Sequence, residues 1–220
     1  MSLAATGLHA QEVEYSVYFN GGLPMVDFNN KVSVTNPETK LFVPLTRDNI
    51  ATGAMIGMGG NVRAGVWFDM GFGELMPFVD AGLLWNASNS TVREAYDDNQ
   101  AKAPVYFNMP LMLGFKYRYD VSDIIRPFAE VGIGYDVLFI TKSYGIDDRW
   151  YRFKPSGAVC WEMGAGTYLG KFVSVGLYYL GLGSHRIEYT AKSTGRADGS
   201  TLPTERRSIG ELALRIGFHF

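Results

Sequence analysis

The chain has 220 residues, 47% of them hydrophobic and 14% aromatic, with a net charge of −2. No apolar run approaches the ~18 residues of a membrane-spanning helix, which excludes a helical membrane protein, and the near-neutral charge offers no basic field for nucleic acid. The single cysteine, Cys160, excludes an intrachain disulfide framework and a CxxC metal site.

Met1-Ser2-Leu3 reads as an appended start and Ala4 to Gln11 as the tail of a secretory signal. Residues 1–11 are therefore expected to be a leader remnant, and 12–220 a single domain. From Glu12 to Asn20 the pattern has a period of two, with Val13, Tyr15, Val17 and Phe19 on one face and Glu14, Ser16, Tyr18 and Asn20 on the other. That period predicts a strand. The long polar stretch Gly21 to Ala54 follows, in which Lys31 to Thr35 and Leu41 to Leu45 flank Asn36-Pro37-Glu38-Thr39 and predict a projecting hairpin.

The alternation resumes over Met55 to Met70 and again over Glu74 to Asn86. It is clearest over Ala103 to Tyr119, where Phe107, Met109, Leu111, Leu113, Phe115, Tyr117 and Tyr119 oppose Asn108, Pro110, Met112, Gly114, Lys116 and Arg118. Ile124 to Thr141 and Arg152 to Leu169 continue it. Lys171 to Thr190 is apolar on both faces near Val173 to Leu182, which leaves its register open. Ser208 to Phe220 ends the series, with Leu212, Leu214, Ile216, Phe218 and Phe220 opposite Glu211, Ala213, Arg215, Gly217 and His219.

Eight strands result, joined alternately by short and long links. Gly71-Phe72-Gly73, Asp120 to Asp123 and Gly170 are short; Gly21 to Ala54, Ala87 to Lys102, Lys142 to Tyr151 and Ala191 to Arg206 are long and polar. Short turns at one rim and long loops at the other predict an all-β, up-and-down antiparallel barrel crossing a membrane. Side-chain size decides which face meets lipid. The polar face carries Gly65, Gly82, Gly114, Gly132, Gly134, Gly164, Gly166 and Gly217, which suit the crowded interior of an eight-stranded barrel. Bulky Trp85, Phe107, Phe115, Tyr135 and Trp161 then point out to lipid and its interface.

That assignment sends a set of charges inward: Glu14, Asp69, Asp80, Glu130, Asp136, Glu162 and Glu211 with Arg63, Lys116, Arg118, Arg126 and Arg215. Ions in a narrow lumen must be paired or hydrated, so an interior salt-bridge network and a closed barrel are expected. In the long loops, Tyr96, Tyr144, Asp147, Asp148, Arg149 and Trp150 are the candidates for contact with an extracellular ligand or host surface. Ser184-His185-Arg186-Ile187-Glu188 is the only segment with hydrolase-type residues close together. Adjacent strand residues point to opposite faces, so Ser184 and His185 are not expected to bond to each other. No catalytic residue, metal ligand or cofactor is expected.

The chain resembles the small bacterial outer-membrane β-barrel proteins, the OmpA-like and OmpX-like barrel family with its PorT-type members. The likeness is carried by Pro127-Phe128-Ala129-Glu130-Val131-Gly132-Ile133-Gly134, its echo Pro77-Phe78-Val79-Asp80-Ala81-Gly82-Leu83, the strand Asn108 to Leu113 and the ending Arg215 to Phe220. It implies an outer-membrane location and a lipid environment. It also implies transient recognition of Phe218 and Phe220 by the outer-membrane assembly machinery, and a structural or surface-interaction role such as adhesion or envelope integrity. Small-solute transport or lipid A modification is the alternative.

Overall fold

The alternating segments close into one antiparallel ring in the computed structural model, which describes residues 10–29, 54–90, 93, 97, 102–122, 124–144, 150–192, 200–201 and 205–220. The elements are β1 (Ala10–Val26), β2 (Gly57–Asp69), β3 (Glu74–Ala87), β4 (Val105–Arg118), β5 (Ile125–Ile140), β6 (Ser143–Tyr144), β7 (Trp150–Phe153), β8 (Ser156–Leu169), β9 (Val173–Ile187), β10 (Tyr189–Lys192), β11 (Ser200–Thr201) and β12 (Glu205–His219). The closed barrel runs β1-β12-β9-β8-β5-β4-β3-β2. All its pairs are antiparallel, including the seam where Ser16 faces His219 and Val26 faces Ile209. No edge strand is left in the ring, so no row of unpaired backbone groups faces lipid.

Two exposures decide which way the barrel is turned: Leu113 is 61% exposed and Lys116, three residues on, is fully buried. A water-soluble barrel would reverse them. Here the apolar stripe faces out and the charges face in, which is the arrangement of an outer-membrane barrel. Strands of 13 to 17 residues exceed the ~10 needed to cross a bilayer.

The short-turn rim is pinned by turn chemistry. Gly170 takes φ +72° between β8 and β9, a conformation costly for residues with a Cβ, and its N–H donates to the Ile124 carbonyl at 2.7 Å. At the same rim Phe220 exchanges two backbone hydrogen bonds with Tyr15, at 2.8 and 3.1 Å.

Three features differ from the pattern-based expectation. β1 runs on to Val26, beyond Asn20, because Gly21-Gly22-Leu23-Pro24, although rich in turn residues, is flanked by β12 throughout. Above the long-loop rim, β6, β7, β10 and β11 form a separate four-stranded sheet in the order β11-β10-β7-β6. These strands follow directly from β5, lead into β8, follow from β9 and precede β12, so stretches expected to be loops prolong the wall outward. Finally, β9 contains a bulge: Ile209 pairs with Gly183 but Gly210 pairs with Gly181, leaving Leu182 as the extra residue. The predicted hairpin around Asn36 to Thr39, and residues 1–9 of the expected leader, lie outside the described residues.

Candidate functional site in the lumen

Inward positions on neighbouring strands are brought together by strand register. Arg63 on β2 sits opposite Asp80 on β3, and Lys116 on β4 opposite Glu130 on β5. The narrow lumen then lets long side chains reach across it. Arg63 donates from Nε to Asp80 at 2.8 Å, from both terminal nitrogens to Glu130 at 2.8 Å, and to Glu162 at 3.1 Å. Lys116 lies 3.0 Å from Glu130, and Arg215 lies 3.0 Å from Glu162 and 3.5 Å from Glu130. Six of the sequence-selected charges thus meet in one buried layer. Such burial is tolerated only because the charges are paired and further hydrogen-bonded.

Uncharged groups complete the layer. Arg215 donates to Asn20, Asn20 to Asn61, and Asn61 to Asp80, at 2.9, 3.0 and 2.5 Å. Aromatic faces cover the cations: Arg63 stacks 3.7 Å above Phe78, Arg215 4.0 Å above Tyr178, and Lys116 4.3 Å above Phe128. Glycines make room for these rings, since a Cβ on Gly164 would collide with Tyr178.

Toward the short-turn rim a second cluster is built around Glu14. Its carboxylate accepts from Trp67 Nε1 at 2.9 Å, the Tyr168 hydroxyl at 3.0 Å and the Ser16 hydroxyl at 2.9 Å, and lies 2.9 Å from His219 Nδ1. His219 Nε2 in turn lies 2.8 Å from Ser174 Oγ. Arg118 stacks over Trp67, approaches Glu14 at 3.8 Å and is paired with Glu74. Arg126 stands apart at the mouth, donating to the Gly170 carbonyl at 3.1 Å.

Toward the other rim the acids have different partners. Asp136 lies 3.1 Å from His185, which the β9 bulge turns inward, and Glu211 takes a hydrogen bond from the Asn86 side chain. Asp69 is a correction. As the last residue of β2 it is exposed at the rim, where its carboxylate accepts from the Gly71 N–H at 2.7 Å, outside the buried clusters. Ser184 is exposed while His185 is buried, and Glu188 pairs with Lys154 at 3.0 Å. That segment therefore assembles no nucleophile and base. Tyr96, Asp147, Asp148 and Arg149 lie outside the described residues; Tyr144 and Trp150 fall in β6 and β7.

Charge alone does not point to Ser16, Asn20, Asn61, Trp67, Tyr168, Ser174, His185 or His219. Outside β9 their usable signal is inward parity: Ser16 is two residues from Glu14, and His219 four from Arg215, on the same faces.

No family model and no curated protein matches the chain. Among solved structures it is similar to Ail, the attachment invasion locus protein of Yersinia pestis, at 9% identity over 94% of this chain and 97% of that one, with a TM-score of 0.47. It is also similar to the outer-membrane protein OprG of Pseudomonas aeruginosa, at 11% identity, 96% and 97% coverage, and a TM-score of 0.46. A major outer-membrane protein of Thermus thermophilus gives 10% identity, 96% and 100% coverage, and a TM-score of 0.46. The fold assigned here rests on the strand pairing and the inverted faces described above.

Proposed function

We propose that this outer-membrane barrel is a sealed scaffold that presents its long-loop rim outward as an interaction surface, serving adhesion or envelope integrity. The observation that carries this reading is the buried layer of Arg63, Asp80, Lys116, Glu130, Glu162 and Arg215, which fills the lumen with paired charges and stacked rings. A lumen plugged in this way supports a scaffold better than a channel. The sheet of β6, β7, β10 and β11 raises the wall beyond the membrane and carries Tyr144 and Trp150, which with Tyr96, Asp147, Asp148 and Arg149 of the long links are the proposed contacts. Insertion through recognition of Phe218 and Phe220 by the assembly machinery belongs to the same proposal.

Planar-bilayer recordings of the refolded barrel test the seal: a flat current is expected, and discrete openings would overturn it. The surface role is tested by binding of whole cells to a host-cell monolayer. Replacing residues 145–149 and 193–199 with Gly-Ser segments should abolish binding while the barrel stays folded; undiminished binding would remove the loops from the mechanism.

A further inference from the structure

Three buried side chains from three strands stand in line at the short-turn end of the lumen. Ser174 Oγ on β9 lies 2.8 Å from Nε2 of His219 on β12, and Nδ1 of the same ring lies 2.9 Å from Oε1 of Glu14 on β1. From this geometry we propose that Ser174 and His219 are a catalytic nucleophile and general base positioned by Glu14, and that the barrel hydrolyses an acyl ester presented at its short-turn mouth. The proposal is independent of the surface role and requires only the closed ring.

The roles follow from which atoms can donate. Nδ1 lies 2.9 Å from both Glu14 and the Ser16 hydroxyl, which itself donates to Glu14; a carboxylate only accepts, so the ring proton belongs on Nδ1 and the Nε2 lone pair faces the Ser174 hydroxyl. That is the tautomer a base needs to take a proton from serine. Glu14 is held in turn by Trp67, Tyr168 and Ser16. The imidazole is wedged between Tyr168, with ring centroids 4.5 Å apart, and the edge of Tyr18 at 5.6 Å. Gly217 keeps the hydroxyl's space open, because a Cβ there would come within 2.6 Å of Ser174 Oγ.

The mouth beside this line is a cavity of about 190 Å³ whose walls include the carboxylates of Glu12 and Glu14 as well as His219, Arg118, Arg126 and Lys171; Ser174, 2% exposed, is not among them. Its chemistry is divided. Phe172 and Phe220, 68% and 76% exposed, offer apolar surface at the rim, where acyl chains lie. Arg126 and Lys171 offer positive charge; the Arg126 Nε–H is buried without a hydrogen-bond acceptor, its ion-pair partner Asp120 lying 3.9 Å away. Arg126 pairs in register with Tyr168, and Tyr168 with Ser174, so this donor stands two strands from the nucleophile at the same height. The substrate class these walls fit is an anionic lipid ester, its chain in the membrane and its head in the mouth.

The reaction balances with water as the only co-reactant. Ser174 Oγ bonds to the ester carbonyl carbon as its proton passes to His219 Nε2. The tetrahedral oxyanion collapses, the carbon–oxygen bond to the alcohol breaks, and His219 returns the proton to the departing oxygen. Water then attacks the Ser174 acyl ester, giving its proton to His219, which restores it to Ser174 Oγ as the carboxylic acid leaves.

The test uses the full chain refolded in detergent micelles, treated with a fluorophosphonate and, separately, with a short-chain p-nitrophenyl ester. A single phosphonyl adduct mapping to Ser174 is expected, together with ester turnover. Ser174→Ala should lose both, whereas Ser184→Ala, on the opposite rim, should keep both. Glu14→Gln should lower kcat by on the order of 10²-fold with little change in KM, and Glu14→Asp should restore part of it. Folding is checked by heat-modifiable gel migration. An unlabelled but folded wild-type barrel overturns the proposal, as does a folded Ser174→Ala variant with wild-type turnover. If Ser174→Ala does not fold, the mapped position of the wild-type adduct decides.

Discussion

Arg63 and Glu130 meet fork to fork across the lumen, β2 to β5, with both nitrogen–oxygen distances at 2.8 Å. Because both are fully buried, removing either leaves charge stranded in a site that water does not reach. Arg63→Ala or Glu130→Ala should each destabilise the barrel by about 3–5 kcal/mol. The double replacement Arg63→Met with Glu130→Leu should cost less than the two alanine variants summed, because no ion is then orphaned. Urea unfolding in lipid vesicles measures both.

Leu113 tests the orientation of the wall. Placed near the middle of β4 and facing out, it should tolerate Ala but not Arg, and Leu113→Arg should cost about 2–4 kcal/mol in a bilayer. The same vesicle measurement reads it; a neutral Leu113→Arg variant would contradict a lipid-facing position.

The β9 bulge depends on Gly183, at φ +96°, where a Cβ would also press on the Val159 carbonyl oxygen. Gly183→Ala should therefore cost about 1–3 kcal/mol. It should also shift the backbone NMR signals of Ile209 and Gly210, the pair between which the register steps.

Beyond the membrane, the hydrogen bond and charge of Lys154 hold the Glu188 carboxyl below the usual carboxylate range. A lowered folded-state value means the pair contributes above the free carboxylate's pKa and is lost as pH falls through the lowered one. Carboxyl NMR titration should place the Glu188 midpoint below that of a free glutamate, and Lys154→Ala should raise it. Exposure and salt screening make any change in overall stability small.

Much of this structure is legible in residue order because a period of two survives wherever a wall separates lipid from lumen. The Phe107-to-Tyr119 stripe is unbroken, so Lys116 and Arg118 can only point inward. The same logic fails where that separation ends. Asp69 keeps the inward parity of Arg63 and Trp67, but the wall stops there and the side chain turns to the rim. β6 and β11, at two residues each, are too short to carry a period. In β9 both faces are apolar, so the sequence does not reveal that Leu182 is an extra residue, and the inward sides of Ser174 and His185 are hidden with it. Parity turns the Ser16 hydroxyl inward, but only the closed ring brings it and Ser174 to His219.

The hydrogen bond between Glu14 and His219 crosses the seam where β1 meets β12, joining residues 205 positions apart. Pairings so distant in sequence carry the largest loop-closure cost and form late. Until that seam is made, the acid and the imidazole share no environment, so the proposed hydrolytic centre is also a lock whose two halves sit on opposite leaves of an open sheet. Ester turnover would then report the moment of ring closure, and could be followed during refolding as an optical clock for the last step of assembly.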